Sequence, residues 1–433
     1  MSRTILSISL VTLLAVGLLV TLGGAQQKSV SIMVLWSGTE LQAFKDTLAP
    51  FEQRTGIDVQ VESVGRDLPT ILVTRFEAGN PPDVAAMPNP GQMKEFVAEG
   101  GLVPLDFLDL SDHPKAFIDL GSVGGKVYGI FISADLKSLV WYNKKVFDEH
   151  SFVVPQTLGE LLLLQNQIYT ELGIAPWCIG LESGAASGWP GTDWIEDLML
   201  RIAGPDVYDQ WVDHDIPWTY DKVWEVFHYW QLFWIPSFVF GGTTGMLSTN
   251  FGDSPAAMFT DPPGCLLHRQ ATFIQSFIRG AYPNLEAGVD YDIFVFPPLV
   301  SDPYKPWAYP APLLGAGDLI SAFKDTPEVR ELMQYLASAE AQAIWVGKLG
   351  KLAINTKVDP SVYPDPITAK AAGILAGAEV FRFDGSDLMP AAVGSGAFWE
   401  GILDYVSGVS LEQVLKNIES AADAAYTSGE ATD

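Results

Sequence analysis

The chain has 433 residues, 48% of them hydrophobic and 18% charged, and a formal net charge of −27. That length exceeds one compact core and predicts two lobes of globular composition with a large buried interior. The acidity excludes nucleic acid and anionic lipid as partners, since either is repelled along the whole surface, but it says nothing more about a ligand.

Arg3 precedes an apolar run from Ile5 to Leu22, and Gly23-Gly24-Ala25 supplies small residues before polar Gln26. This predicts a signal peptide over 1–25 and a mature chain outside the cytoplasm. The run approaches bilayer-spanning length, so an uncleaved anchor stays open. No cysteine lies near the cut, and the expectation is a soluble periplasmic protein, not a lipoprotein.

Strand and helix signals then alternate. Val30 to Trp36 is a short β-branched run expected as a buried strand, and Leu41, Phe44, Leu48 and Phe51 recur at helical spacing. Ile57 to Val61 and Pro82 to Met87 predict two more strands. This βαβ rhythm implies a parallel sheet with ligand sites at the strands' carboxyl ends, which fall on Ser37 to Glu40 and Asn89 to Gln92. Thr157 with Glu160 forms a capping box for the next helix. The apolar segment Tyr229 to Phe240 predicts a core helix ending at Pro236. Thr326-Pro327 marks a helix expected to run through Leu332, Leu336 and Ile344. The tail from Ala421 is expected to fray.

Between these elements lies Gly180 to Asp197, where two tryptophans stand beside several carboxylates in a run of Gly, Ala and Ser. A sugar ring offers apolar C–H faces to indoles and hydroxyls to carboxylates, so Trp189, Asp193 and Trp194 suit a carbohydrate. An ordinary loop whose tryptophans rest on a core is the alternative. Cys178 and Cys265 are the two cysteines, and in an exported chain they are expected to form a disulfide. The five histidines are scattered without metal-ligand spacing, and no phosphate loop or Gly-x-Ser-x-Gly elbow occurs, so neither metal, cofactor nor catalytic residue is expected.

The ordered segments VLWSGTE, GNPPDVAAMPNPGQMKEFVAEGGLVPL, GKVYGI, LVWYNKKVF, LLGAGDLISAF and MPAAVGSGAFWEGI, with the tryptophan-rich stretch among them, span nearly the whole mature chain. Together they resemble the extracellular solute-binding proteins of bacterial carbohydrate ABC importers, the family that includes the maltose-binding protein. PNPGQMKEF and ESGAASGWPGTDWIED point to its α-glucoside-binding branch.

The resemblance implies an α/β, type II-like periplasmic-binding-protein fold with two hinged lobes and a central cleft. Lobe 1 would hold 29–137 and 314–353, lobe 2 would hold 138–313 and 354–428, and 429–433 would be a frayed tail. The implied ligand contacts from the strand-end turns are Ser37, Gly38, Glu40, Asn89, Gly91 and Gln92, with Asp135 nearby. From the second lobe and the hinge come Glu182, Trp189, Thr192, Asp193, Trp194, Asp261, Gly317, Asp318, Arg382, Asp384 and Asp387. A salt bridge without ligand role is the alternative for Arg382. The implied partners are a small sugar and the membrane permease of an importer, with the protein monomeric and no bond broken. An exported glycoside hydrolase would draw on the same residue types, and a sugar sensor would use the same cleft.

Overall fold

The structure, a computed structural model, describes residues 28–87, 89–299 and 311–427. The expected leader and the tail 429–433 lie outside the described residues.

The chain opens with β1 (Ser29–Val34), β2 (Asp58–Ser63) and β3 (Val84–Met87). A hairpin of β4 (Ser122–Val123) and β5 (Lys126–Val127) leads into β6 (Gly129–Leu136). Then come β7 (Leu139–Asn143), β8 (Leu267–Arg269), β9 (Tyr291–Val295), β10 (Leu313–Ala322) and β11 (Phe381–Phe383). Among the described residues, one sheet has the order β11-β10-β3-β1-β2 with β6 also on β10, and a second has the order β8-β7-β9.

The first sheet is mixed, not purely parallel. β1 pairs in parallel with β2 and β3, while β10 runs antiparallel to β3 and β6. Both faces are buried, because alternate residues point to opposite sides. Ile32, Val34, Ala86 and Ile320 meet Phe44, Leu48 and Trp345 on one face, and Met33, Met87 and Leu319 meet Leu72, Met93 and Phe96 on the other. The second sheet anchors a tryptophan-rich core containing Trp177, Trp194, Trp211, Trp218 and Trp230. The chain crosses between the sheets at Lys137-Ser138, between β6 and β7, and again on entering β10. It returns to β6 at Leu352, which bridges Ala134.

Several local expectations hold. The helix over Gly38–Thr55 buries Phe44, Leu48 and Phe51. Thr157 caps the helix Leu158–Leu172 by accepting from the Glu160 N–H at 3.2 Å. Cys178 and Cys265 are bonded, with Cα atoms 5.7 Å apart.

Others are corrected. The helix from Pro327 stops at Leu336, because Ser338 caps a separate helix over Ala339–Lys348. The apolar helix stops at Gln231, five residues short of the proline, and Pro236 opens a short 3-10 turn instead. Ala421 lies inside the helix Leu411–Thr427, held by Leu415, Ile418 and Ala422 in the core, and does not fray. β11, allotted to lobe 2, hydrogen-bonds to β10 in the first sheet.

Candidate functional site

The crossings between the sheets form the floor of a cleft. In the antiparallel register of β6 on β10, Asp135 faces Ala316 and Asp318 faces Ser133. That stagger leaves room between the two carboxylates for an ammonium. Lys351 takes it, with Nζ 3.2 Å from Asp135 and 2.9 Å from Asp318. Glu40, in the first turn of its helix, approaches to 3.8 Å. Asp318 also accepts from the Trp345 indole N–H at 3.2 Å and Asp135 from the Thr272 hydroxyl at 2.9 Å. Burial raises the pKa of Glu40 and of Asp135 against the pull of Lys351. Burial works against the charge on Lys351 too, but Asp135 and Asp318 outweigh it and the ammonium stays charged.

A second clamp stands beside it. Lys137, at the first crossing, bonds Asp193 at 2.8 Å and also bonds Asp384. Asp193 belongs to the helix Trp189–Ile202, whose polar residues Asp193, Glu196, Asp197 and Arg201 fall three or four apart and so share a face. Burial pushes the Asp193 carboxyl up to about 7 despite Lys137, and pushes Glu196 well above the glutamate range with Asp384 adding to the rise. Asp384 goes the other way, because Lys137, the Ser386 hydroxyl and the Asp387 N–H together outweigh its burial. Its side chain accepts from Ser386 Oγ at 2.7 Å and from the Asp387 N–H at 3.0 Å, a cap that turns the next residues toward the cleft. Asn89 Nδ2 donates to Asp387 from the other wall. Carboxylate oxygens of Asp193, Glu196 and Asp384 lie within 4.8 Å of one another, and Lys137 already supplies positive charge to two of them.

Indoles make the walls. Trp36, Trp189 and Trp399 line the cleft, and the Nε1–H of each lacks a partner within the protein. Arg66 closes the top, with its guanidinium carbon 4.9 Å from the Phe251 ring and 6.0 Å from the Trp189 ring. The empty space, open mouth included, is ≈ 860 Å³. Flat apolar rings and fixed carboxylate acceptors are what a hydroxyl-rich ring needs.

Of the residues expected from sequence, Glu40, Asn89, Asp135, Trp189, Gly317, Asp318, Asp384 and Asp387 line this cleft. Asp193 stands behind it on Lys137. The rest are placed elsewhere. Trp194 is 1% exposed in the core against Trp177 and Phe233, since five residues along a helix turns the side chain about 140° from Trp189. Arg382 points out of β11 to a two-point ion pair with Asp209 at 2.6 and 2.7 Å, the salt-bridge alternative. Glu182 accepts from Asn250 and the Gly184 N–H, holding its own turn. Thr192 bonds the Trp189 carbonyl within the first helical turn. Asp261 is exposed, as are Ser37 and Gly38, which precede the turn that carries Glu40 inward. Gln92 donates to the Pro69 carbonyl, and Gly91 is pressed against the backbone of Leu388 and Met389.

Sequence reasoning missed Arg66, Lys137, Lys351, Trp36 and Trp399. Trp36 stands in the expected first strand and Trp399 in the quoted segment near the end, but neither had been separated from core tryptophans.

Comparison with known proteins agrees with this geometry. Residues 46–374 match the family model described as bacterial extracellular solute-binding protein. The osmoprotective compounds-binding protein GgtB of Synechocystis sp. is 42% identical over 92% of this chain and 93% of its own length. The alpha-glucosides-binding periplasmic protein AglE of Rhizobium meliloti is 38% identical over 92% of this chain and 87% of its own. Among solved structures, a chitin oligosaccharide binding protein superposes with TM-score 0.78 at 17% identity, covering 92% of this chain and 99% of that one. Maltose-bound MalE3 of T. maritima superposes with TM-score 0.70 at 16% identity, covering 92% and 99%. At that identity the superpositions speak for the fold.

Proposed function

The chain belongs to the bacterial extracellular solute-binding proteins, and from that premise we propose that it captures a small α-glucoside in the cleft and hands it, chemically intact, to the permease of an ABC importer. It is the carbohydrate-binding component of such a transporter and not an enzyme. The observation that carries the choice of ligand is the lining itself, in which Trp36, Trp189 and Trp399 stand with Glu40, Asn89, Asp135, Asp318 and Asp387. Indole rings pack on the C–H faces of a sugar ring while carboxylates accept from its hydroxyls. The α-linkage rests on the name of the relative AglE and on the family-branch segments.

In this reading the protein acts as an exported, periplasmic monomer after loss of residues 1–25. Lobe 1 comprises 29–137 and 314–353 with β11 added, lobe 2 the remainder to 428, and the crossings near Lys137, Leu314 and Ala353 hinge them. Sugar contacts come from Glu40, Asn89, Asp135, Trp189, Gly317, Asp318, Asp384 and Asp387, joined by Arg66, Trp36 and Trp399.

Calorimetric titration with trehalose, sucrose, maltose and β-linked controls tests it. The expected result is one-to-one binding of an α-glucoside at about micromolar dissociation constant, roughly 8 kcal/mol, with the sugar recovered unchanged. Indifference to the whole panel, or turnover of the sugar, overturns it.

A further inference from the structure

Trp399 stands in the cleft wall, while its neighbour Phe398 is fully buried with its ring centre 5.6 and 4.7 Å from those of Trp211 and Trp218. Adjacent side chains thus serve the ligand surface and the core. The segment before them, Ala392–Phe398, is a π-helix that runs straight into the α-helix Trp399–Ser407. π turns are rare and are frequent at functional sites. Their i→i+5 period brings residues five apart onto one face, where an α-helix would set them about 140° apart. Two such pairs occur. Val393 and Phe398 share the tryptophan-rich core, and Gly394 and Trp399 share the cleft side, since Gly394 packs on the backbone of the lining residue Ser386. An α-helical segment of the same length would keep one member of each pair in place but not both.

Two glycines lock this arrangement. A Cβ on Gly394 would collide with the Ser386 carbonyl oxygen, and one on Gly188 would collide with the Trp399 carbonyl. Gly188 has φ 108°, which L side chains avoid, and it directly precedes Trp189. The backbones that carry the two indoles therefore touch, with no side chain between them. We propose that the π turns and Gly188 are a positioning device for Trp399, which fixes its indole relative to that of Trp189 so that the ligand meets two rings of set separation. Neither glycine lines the cleft, and each acts on the ligand through Trp399. The inference rests on the sugar-capture reading and deepens it.

Calorimetry with an α-glucoside that the full mature protein binds tests it through a double-mutant cycle. Gly188→Ala and Trp399→Ala should each weaken binding at least about tenfold, and the double variant should be no more than about threefold weaker than Trp399→Ala alone, because a displaced indole and a missing one forfeit the same contact. A Gly188→Ala loss that recurs in full in the Trp399→Ala background overturns the proposal by assigning the loss to a general disturbance of the lobe. Unchanged affinity in either single variant overturns it too. If Gly188→Ala does not fold, the spacing is varied in its place. An alanine inserted after Ser395 puts Gly394 and Trp399 off one face and should weaken binding at least about tenfold, whereas deletion of Ser395 sets them on one face of an α-helix and should keep affinity within about threefold of the parent. Equal losses from insertion and deletion, or none from the insertion, overturn the positioning role while leaving sugar capture intact. Failure of the parent to bind any α-glucoside removes the sugar reading itself, and the positioning role with it.

Discussion

At the scale of single residues, Trp189 and Glu196 separate two kinds of side chain on one helix. Trp189 opens the helix on the cleft side, with Lys137 Nζ 5.5 Å from its ring centre and its own Nε1–H unpartnered. Trp189→Ala should weaken α-glucoside binding at least about tenfold by calorimetry and, because its ring also packs on Phe251 and Phe273, should lower the unfolding midpoint of the empty protein as well. Asp193, four positions after Trp189 in the same helix, serves Lys137 instead, and its removal strands a buried ammonium with one carboxylate fewer. Asp193→Ala should therefore lower stability itself, by about 3–5 kcal/mol in urea unfolding, before any effect on sugar is considered. Glu196 carries a pH signature. Its folded pKa is raised by burial, so the folded protein holds a proton that the unfolded chain releases, and that raises stability at low pH and erodes it as pH climbs. Glu196→Gln keeps the acceptor for the Ser386 N–H without the titration. The variant should match the parent near pH 4 and exceed it progressively above the ordinary glutamate range, by up to about 1.4 kcal/mol per pH unit. A pH-independent difference between the two proteins would remove Glu196 from that role.

At the scale of elements, legibility followed the range of the interaction. The strand at Val30, the helix through Phe44 and Phe51 and the Thr157 cap depend on neighbours within a turn or a pleat, and all were readable. The stop at Leu336 was not, because the apolar period continues through it and only the Ser338 cap, accepting from the Ala341 N–H at 3.2 Å, divides the run in two. The floor of the cleft was least legible of all. Lys137 and Lys351 look like solvated lysines in sequence, yet their partners lie 56, 247 and 216 positions away. Nothing local marks a charge that only the tertiary fold buries. Eight of the eighteen expected ligand residues line the cleft, Asn89 and Asp384 because they follow strand ends, and Trp194 does not because its segment is a helix and not a loop. The disulfide belongs to this scale too. It joins Cys178 to Cys265 across 87 positions and binds the segment before the Trp189 helix to the strand β8. Replacing both cysteines with alanine should cost about 4 kcal/mol by the loop-entropy relation, read as a lower urea midpoint than the oxidised parent. An unchanged midpoint would mean that the core around Trp177 and Leu267 already fixes the two segments without it.

At the scale of the whole molecule, the contacts across the mouth of the cleft differ from those at the crossings, where one apolar cluster runs from Met33, Met87 and Leu319 to Trp141, Ile274 and Ile293. Arg66 rests on Phe251 and Trp189, Asn89 donates to Asp387, and Glu95 accepts from the Ala391 N–H at 2.7 Å. The lobes' interiors, by contrast, are packed with large apolar side chains that water does not reach. Rupturing polar and cation–aromatic contacts that water can partly replace takes far less free energy than opening either core, so separation of the lobes is the soft motion. The crossings carry the two lysine clamps, which keep the hinge strands aligned while the rims part. A ligand touching Glu40 and Asn89 on one side and Trp189 on the other binds the closed form alone and must draw the population toward it. Small-angle scattering should accordingly show the radius of gyration falling when a bound α-glucoside is added, and thermal unfolding should shift upward with its concentration. The stabilisation at a hundredfold excess over the dissociation constant should be about 2.7 kcal/mol. Arg66→Ala removes the contact at the rim without touching either hinge clamp. It should leave the empty protein more open, with a larger radius, and should lower affinity through the closing equilibrium. Identical radii for empty and loaded parent would refute the hinge and leave a rigid pocket.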